Sequence, residues 1–461
     1  MSDDFFQGYK GKALKTLKQY QVRVWGHVHV NTTRGVFHGT ILPRAENDDS
    51  NHIVLKIPSG YNLGINVANI IEMTETDYRK VSYKIAEKEF PYSPELPNVK
   101  LFGTGGTIAS RLDYRTGAVI PAFSPGELYG TVPELASICN LSTEKLFSIF
   151  SENMGPDQYK KLAIAIGKEI ESGIDGIVIA HGTDTMHYTA AVLTFMVQNP
   201  PIPIVLVGSQ RSSDRPSSDA ALNLMYATTA AGHGDIAEVM VCMFGSTSDK
   251  YGFLHRGTRV RKMHSSCRST FRTLSDHPLA TITLDGVKPL KSKYNQRRKD
   301  KKVKILPFFE EKVALVYYYP NMQPDIIEMM IERGYRGIII AGTGLGHINK
   351  PLYPAIEKAV KNNIAVYMTV QTLWGYANMF VYETGRDLIA KGVIPADNML
   401  PEVAYIKLGW ALGQTSDLDE VKRIMLAPVN DDITLREPYN GYLVYQGGVP
   451  EVEEFIRKVH K

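Results

Sequence analysis

Apolar and polar side chains alternate along residues 21–30, with Val22, Val24, Val28 and Val30 set against Arg23, His27 and His29. A period of two marks a strand with one buried face. Similar short segments follow at 34–42, 53–57 and 64–67, separated by turn-rich pieces such as 43–51. Several short strands and no good helix predict a small β-barrel domain over residues 1–75. Such a module serves docking or spacing as readily as binding, and it holds no binding motif. Residues 76–98 are polar and carry Pro91, Pro94 and Pro97, the composition of a linker.

From Val99 the pattern changes to buried strand, loop and amphipathic helix. Mostly apolar strands are predicted at 99–102, 176–180, 203–207 and 237–244. Helices are predicted from Pro156 through 159–170, from Met186 through about Val197, and over 217–230. Strands alternating with helices in this way predict an α/β domain over 99–285 with a doubly wound, mostly parallel sheet. Residues 286–311 follow, and nine Lys or Arg between Lys288 and Lys304 face a single Asp300. A solvated basic linker is the simpler reading of that run; contact with a phosphate or a partner is the other. A second, smaller α/β domain with a helical tail is predicted over 312–461. Its strands fall at 313–318, 337–341 and 364–369, and its helices at 324–333, 354–361 and 419–425.

Composition narrows the picture. A chain of 461 residues exceeds one ordinary core, which agrees with several domains. A net charge of +4 gives no argument for nucleic acid by itself. The opening Met-Ser-Asp-Asp lacks a secretory pattern, and no run approaches the ~18 apolar residues of a membrane span. Cys139, Cys242 and Cys267 are odd in number and scattered, as expected for buried thiols in a reducing interior. A cytoplasmic protein is the expectation.

The chemistry is hydroxyl-based. The 12 histidines include no His-Glu-x-x-His, and there is no Cys-x-x-Cys, no phosphate loop and no Gly-x-Ser-x-Gly elbow. Gly342-Thr-Gly-Leu-Gly346 lacks the spacing of a dinucleotide turn. Two strands, however, end in glycine- and threonine-bearing loops: Thr104-Gly-Gly-Thr-Ile-Ala109, without a charge, and His181-Gly-Thr-Asp-Thr-Met186, with one aspartate. In an open α/β sheet such ends line the ligand crevice. Taken alone, the first stretch is equally a glycine turn whose threonines satisfy local backbone groups. A threonine hydroxyl needs a base to become a nucleophile, and a lysine serves where burial or neighbouring cations disfavour its charged form. Lys262, between Arg261 and Met263 with Arg259 nearby, is the candidate. On the residues alone it is also an ordinary member of a basic loop.

With both stretches and Lys262 in place, residues 99 to about 430 resemble the bacterial-type L-asparaginase/glutaminase family. The resemblance implies an asparaginase-like fold of two α/β domains, with the small β-barrel domain ahead of it. It makes Thr107 the primary nucleophile and Thr183, Asp184 and Lys262 the supporting triad. Ser151 and Glu152 fall at the substrate-binding pair, where simple asparaginases usually carry Gln after the Ser. Tyr114 resembles the tyrosine of a mobile loop. Three further passages, 151–156, 254–264 and 371–378, together with the added β-rich domain, resemble the D-type subunits of the archaeal glutamyl-tRNA(Gln) amidotransferases. That resemblance implies a glutaminase that releases ammonia for a partner, the E-type subunit. The partner would use ATP and Mg to convert Glu-tRNA(Gln), and the chain itself would need no cofactor or metal. It further implies a homodimer within a heterotetramer. A free-standing cytoplasmic L-asparaginase and a catalytically silent binding module remain the alternatives.

Overall fold

The computed structural model describes residues 3–6, 8–44, 48–59, 62–78, 91–105, 110–112, 119–121, 132–211, 217–298 and 300–438. The chain divides into two compact units, Met1–Ala86 with Ser110–Ile120, and Glu87–Ala109 with Pro121–Lys461.

In the first unit five antiparallel strands lie in the order Asn62–Asn66, His52–Lys56, Gly35–Ile41, Gly26–Thr32, Ile70–Tyr78, giving a small barrel-like domain. Along Gly26–Thr32 burial alternates strictly, with Val28 and Val30 inward. The predicted strand at 21–30 therefore starts late. Gln21 (φ 59°) and Trp25 (φ 73°) adopt left-handed backbone that no strand accommodates. Contrary to expectation the unit has a helix, Gly11–Gln19, which buries only Ala13 and Leu17, one turn apart. Three outward lysines and two core positions leave too little periodicity to read. Ile70–Tyr78 is a strand not predicted, since only Met73 on it is buried, and it runs into the stretch expected as linker.

The second unit carries the main sheet, in the order Gly286–Pro289, Ala280–Thr283, Gly252–Arg256, Val239–Phe244, Ile204–Val207, Gly176–Ala180, Asn98–Gly103, Asn140–Lys145. The last five are mutually parallel and the first three antiparallel. Side chains from alternate positions build two cores. Ile177, Ile179, Ile204 and Leu206 face the helices Pro156–Glu171 and Met186–Met196. Val178, Ala180, Val205 and Val207 face the helix Ala220–His233. The antiparallel strand Gly252–Arg256 is wholly buried yet includes His255 and Arg256, so it escapes an apolar-run criterion. Arg256 forks onto Glu238 at 2.7 and 2.8 Å, and His255 Nδ1 meets the Thr273 hydroxyl at 2.9 Å.

Residues 286–311 are not the solvated linker expected. Gly286–Pro289 is the outermost strand of the main sheet, and Lys304–Ile305 pairs with Val197–Gln198. Arg297 donates to the carbonyls of Ala231, Gly232 and Gly234 that end the helix Ala220–His233. Arg297 ties this strap to the domain, while Lys288, Lys293, Arg298, Lys302 and Lys304 are exposed.

Beyond it, four parallel strands run in the order Val313–Tyr317, Gly337–Gly342, Ala365–Val370, Ile394–Pro395. Asp325–Glu332, Tyr353–Lys361 and Glu383–Ala390 contribute Ile327, Ile356 and Leu388 to the core on one face. On the other lies Pro401–Gln414, a helix buried on nearly every side between this sheet and Met186–Met196, with Trp410 stacked on Phe195 at 5.6 Å. All-round burial removes the 3.6-residue stripe, which is why the sequence shows only a helical tail there.

Candidate active site

The strands Asn98–Gly103 and Gly176–Ala180 are neighbours, with Gly103 opposite Ala180. Their carboxyl ends therefore emerge side by side. Thr104 clips the two ends together: its backbone N–H and its hydroxyl both donate to the Ala180 carbonyl, at 3.1 and 2.9 Å. Gly105 follows at φ +111°, where a Cβ would stand 2.3 Å from the Ile149 carbonyl oxygen. Glycine is required at this turn, because it lets the segment 146–151 approach. Ile149 N–H in turn donates to Thr104 O at 3.2 Å.

That approach brings Ser151 to the second strand end. Ser151 is buried, and its carbonyl accepts a 2.5 Å bond from the Thr185 hydroxyl. Glu152 beside it is exposed. A third strand end, Gly208, closes the floor. A Cβ there would meet Met186 Cε, His181 O and Thr183 Cγ2 within 2.8 Å. Buried Asp219 supports the same loop by accepting from the N–H groups of Gln210 and Arg211, each at 3.0 Å.

Lys262 arrives from elsewhere in the chain. It ends the short strand Val260–Lys262, paired with Phe271–Thr273 so that Lys262 stands opposite Phe271. Its Nζ lies 2.9 Å from Thr183 Oγ1 and 2.7 Å from Asp184 Oδ1. Thr183 is buried, the lysine side chain is 10% exposed, and the Asp184 side chain is 69% exposed. The arrangement is a hydroxyl in contact with a shielded amine, with a carboxylate reaching into solvent. A neutral amine so placed can take a hydroxyl proton, and the carboxylate can face a cationic ligand group.

The two arginines expected to press on Lys262 are engaged elsewhere. Arg259 is fully buried and donates to Asp431 O at 2.5 Å and Asn398 O at 2.8 Å. Arg261 stands 3.5 Å from Glu402. His181, first residue of the second motif, is a support: Nδ1 meets the Gly182 carbonyl at 2.7 Å and Nε2 the Thr189 hydroxyl at 2.9 Å. Burial lowers its pKa to about 4, against a weaker opposing pull from the Gly182 carbonyl, so the ring is neutral.

Of the sequence-predicted residues, Thr183, Asp184 and Lys262 meet, and Ser151 lies one hydrogen bond from Thr185. Thr107 and Tyr114 lie outside the described residues. Thr185, Gly208, Asp219 and Glu402 are not singled out by sequence reasoning. Gly208 alone had a signal, at the end of an apolar strand. Among the described residues no group of three or more His, Cys, Asp or Glu could hold a metal ion. None of their helices is long and apolar enough to cross a membrane.

Comparisons with known proteins agree with this architecture. Residues 98–295 match the family of asparaginase N-terminal domains, 312–425 the glutaminase/asparaginase C-terminal domain, and 22–74 the GatD N-terminal domain. The structure resembles the thermostable L-asparaginase from Thermococcus kodakarensis, with TM-score 0.65, 31% identity, 73% of this chain and 99% of that one. It also resembles L-asparaginase I from Vibrio cholerae, with TM-score 0.63, 26% identity, 74% of this chain and 100% of that one. Among curated relatives, the glutamyl-tRNA(Gln) amidotransferase D-type subunit from Thermococcus kodakarensis is 49% identical over 411 residues, 89% of this chain and 92% of that protein. Its counterpart of the same name from Pyrococcus furiosus is 46% identical over 434 residues, 93% and 99%. With all three of its domains matched in order, the chain belongs to the family of D-type glutamyl-tRNA(Gln) amidotransferase subunits, enzyme subunits with an asparaginase-type catalytic body.

Proposed function

We propose that this chain hydrolyses glutamine and delivers the ammonia for conversion of Glu-tRNA(Gln) to Gln-tRNA(Gln). The observation that carries the reading is the Lys262 amine in contact with both Thr183 and Asp184, residues 79 and 78 positions away in the chain. In this scheme Thr107 attacks the side-chain amide carbonyl. The carbon–nitrogen bond breaks, the nitrogen leaves as ammonia with the proton returned to it, and water hydrolyses the threonine ester to glutamate. Lys262 moves protons through Thr183, and Asp184 holds the substrate's α-ammonium. Ser151, Glu152 and Tyr114 complete the substrate site. Backbone N–H groups near Gly106 or Gly182 steady the oxyanion. The partner is the E-type subunit, which activates Glu-tRNA(Gln) with ATP and Mg and makes most of the contact with tRNA. No cofactor is assigned to this chain. The assembly is cytoplasmic, a homodimer within a heterotetramer.

Thr183→Ala, Lys262→Ala and Thr107→Ala are each expected to cut ammonia release from glutamine by roughly a thousandfold, about 4 kcal/mol in the barrier, with the fold intact. Near-wild-type release by two of the three, measured by a coupled ammonia assay, would overturn the site assignment. The likeness to L-asparaginases gives a second reading, a free-standing asparaginase. Asparagine turned over faster than glutamine by the complex would favour it.

A further inference from the structure

The residue next to the site lysine is gripped by a different domain. Arg261 precedes Lys262 in a strand only three residues long. Its guanidinium Nε stands 3.5 Å from Oε1 of Glu402, which is 2% exposed and sits in the first turn of Pro401–Gln414. The hydroxyl of Tyr317, which ends the strand Val313–Tyr317, interacts electrostatically with the same guanidinium. Both partners belong to the C-terminal α/β domain, whereas Thr183, Asp184 and Lys262 belong to the first.

Glu402 is a poor choice for stability alone. Burial pushes its carboxyl pKa up while Arg261 opposes the shift, and its Oε1 has no hydrogen-bond donor among the described residues. A well-packed apolar residue usually replaces such a pair without loss of stability. Retained charge beside a reacting centre therefore points to placement of that centre. We infer that Glu402 and Tyr317 form a latch on Arg261 by which the C-terminal domain positions Lys262 against Thr183 and Asp184.

The latch rests on the proposed role of Lys262 and adds to it a requirement for the second domain. In a strand, neighbouring side chains leave on opposite faces, so Arg261 anchored in one domain fixes the direction in which Lys262 leaves toward the other. The groups facing this pair are Asp184, His187 and Tyr188 on the motif and its helix. Tyr317 and Glu402 face it from the C-terminal domain, and Arg272 from the paired strand.

Steady-state glutamine hydrolysis by the full-length protein over a range of pH, with the unfolding midpoint measured alongside, tests the latch. Glu402→Gln and Arg261→Met are each expected to lower kcat tenfold or more with KM within twofold. Tyr317→Phe, which removes one hydroxyl, is expected to lower kcat severalfold with the unfolding midpoint preserved. The charge change separates positioning from scaffolding. Glu402→Gln leaves the guanidinium uncompensated and shifts the rise of kcat with pH downward. Arg261→Met leaves the carboxylate and shifts it upward. The double variant returns the rise to its wild-type position while kcat stays low. Wild-type kcat in both single variants, or a loss of kcat that follows the unfolding midpoint with no shift of the profile, overturns the latch. Should Lys262→Ala itself hydrolyse glutamine normally, the reading beneath the latch fails instead.

Discussion

Asp184 and Lys262 share an ion pair, but their exposures separate their work. The lysine is shielded and the carboxylate open. Asp184→Asn keeps the shape and removes the charge. The KM for glutamine is expected to rise about tenfold, ~1.4 kcal/mol, while kcat also falls. An unchanged KM would mean that Asp184 acts only in the transition state. Gly105→Ala tests the turn that admits the Ser151 segment. Its φ of +111° and the backbone oxygen 2.3 Å from the new Cβ give a cost of about 2 kcal/mol or more, read as a lowered unfolding midpoint with lost hydrolysis. Three histidines set the acid limit of stability. Burial lowers His181 to about 4, and His187 and His255 to about 3, each from an ordinary 6.5. The unfolded chain then binds protons first. The stability these groups permit is full above about pH 6.5 and declines by about 1.4 kcal/mol per pH unit per histidine as pH falls toward 4. Glu402 and Asp219, raised by burial, act in the opposite sense. Wild type is therefore expected to lose stability more steeply between pH 6.5 and 5 than His255→Asn, and parallel unfolding curves would contradict this. Residue-level chemistry was legible where it lies in a motif. Asp219 and Glu402 were not, because buried carboxylates are explained only by what surrounds them.

At the scale of elements, the inner parallel strands were legible because burial on both faces writes an apolar run, as in Ile177, Val178 and Ile179, whereas the edge strands Asn140–Lys145 and Ile394–Pro395 were not. Gly252–Arg256, as buried as the inner strands, was missed because His255 and Arg256 interrupt its apolar run. The helix Pro401–Gln414 carries the same lesson with a larger charge. Lys407 and Asp432 are both fully buried, 2.6 Å apart, and Lys407 also donates to Ala427 O at 2.7 Å. Burial pushes each toward its neutral form, the lysine pKa down and the carboxyl pKa up; their mutual attraction resists first, and for Asp432 the Val429 N–H at 2.7 Å and Arg259 add to it. Lys407→Ala leaves Asp432 buried without its partner, at an expected cost of about 3–5 kcal/mol in unfolding free energy. Lys407→Met with Asp432→Asn is expected to recover most of that. Equal losses in the single and double variants would show that the pair is not coupled.

For the whole molecule, the order of segments was visible as changes of grammar: alternation near the N-terminus, then strand and helix in turn, twice. What the sequence could not show is the meeting of distant parts. Residues 286–311 look solvated because their charges outnumber everything near them in sequence, yet Arg297 satisfies the end of a helix some 65 positions earlier. On its own residues Lys262 was a candidate base that read equally as a basic-loop lysine; the resemblance named it, and the fold sets it 2.9 Å from Thr183. The central claim is that this meeting makes ammonia for use elsewhere. Amidation of Glu-tRNA(Gln) by the complex carrying Lys262→Ala tests it most directly, with glutamine and then ammonium salt as the nitrogen source. The account predicts almost no Gln-tRNA(Gln) from glutamine and near-wild-type product from ammonium. Undiminished product from glutamine, or none from ammonium in a correctly assembled complex, would contradict it.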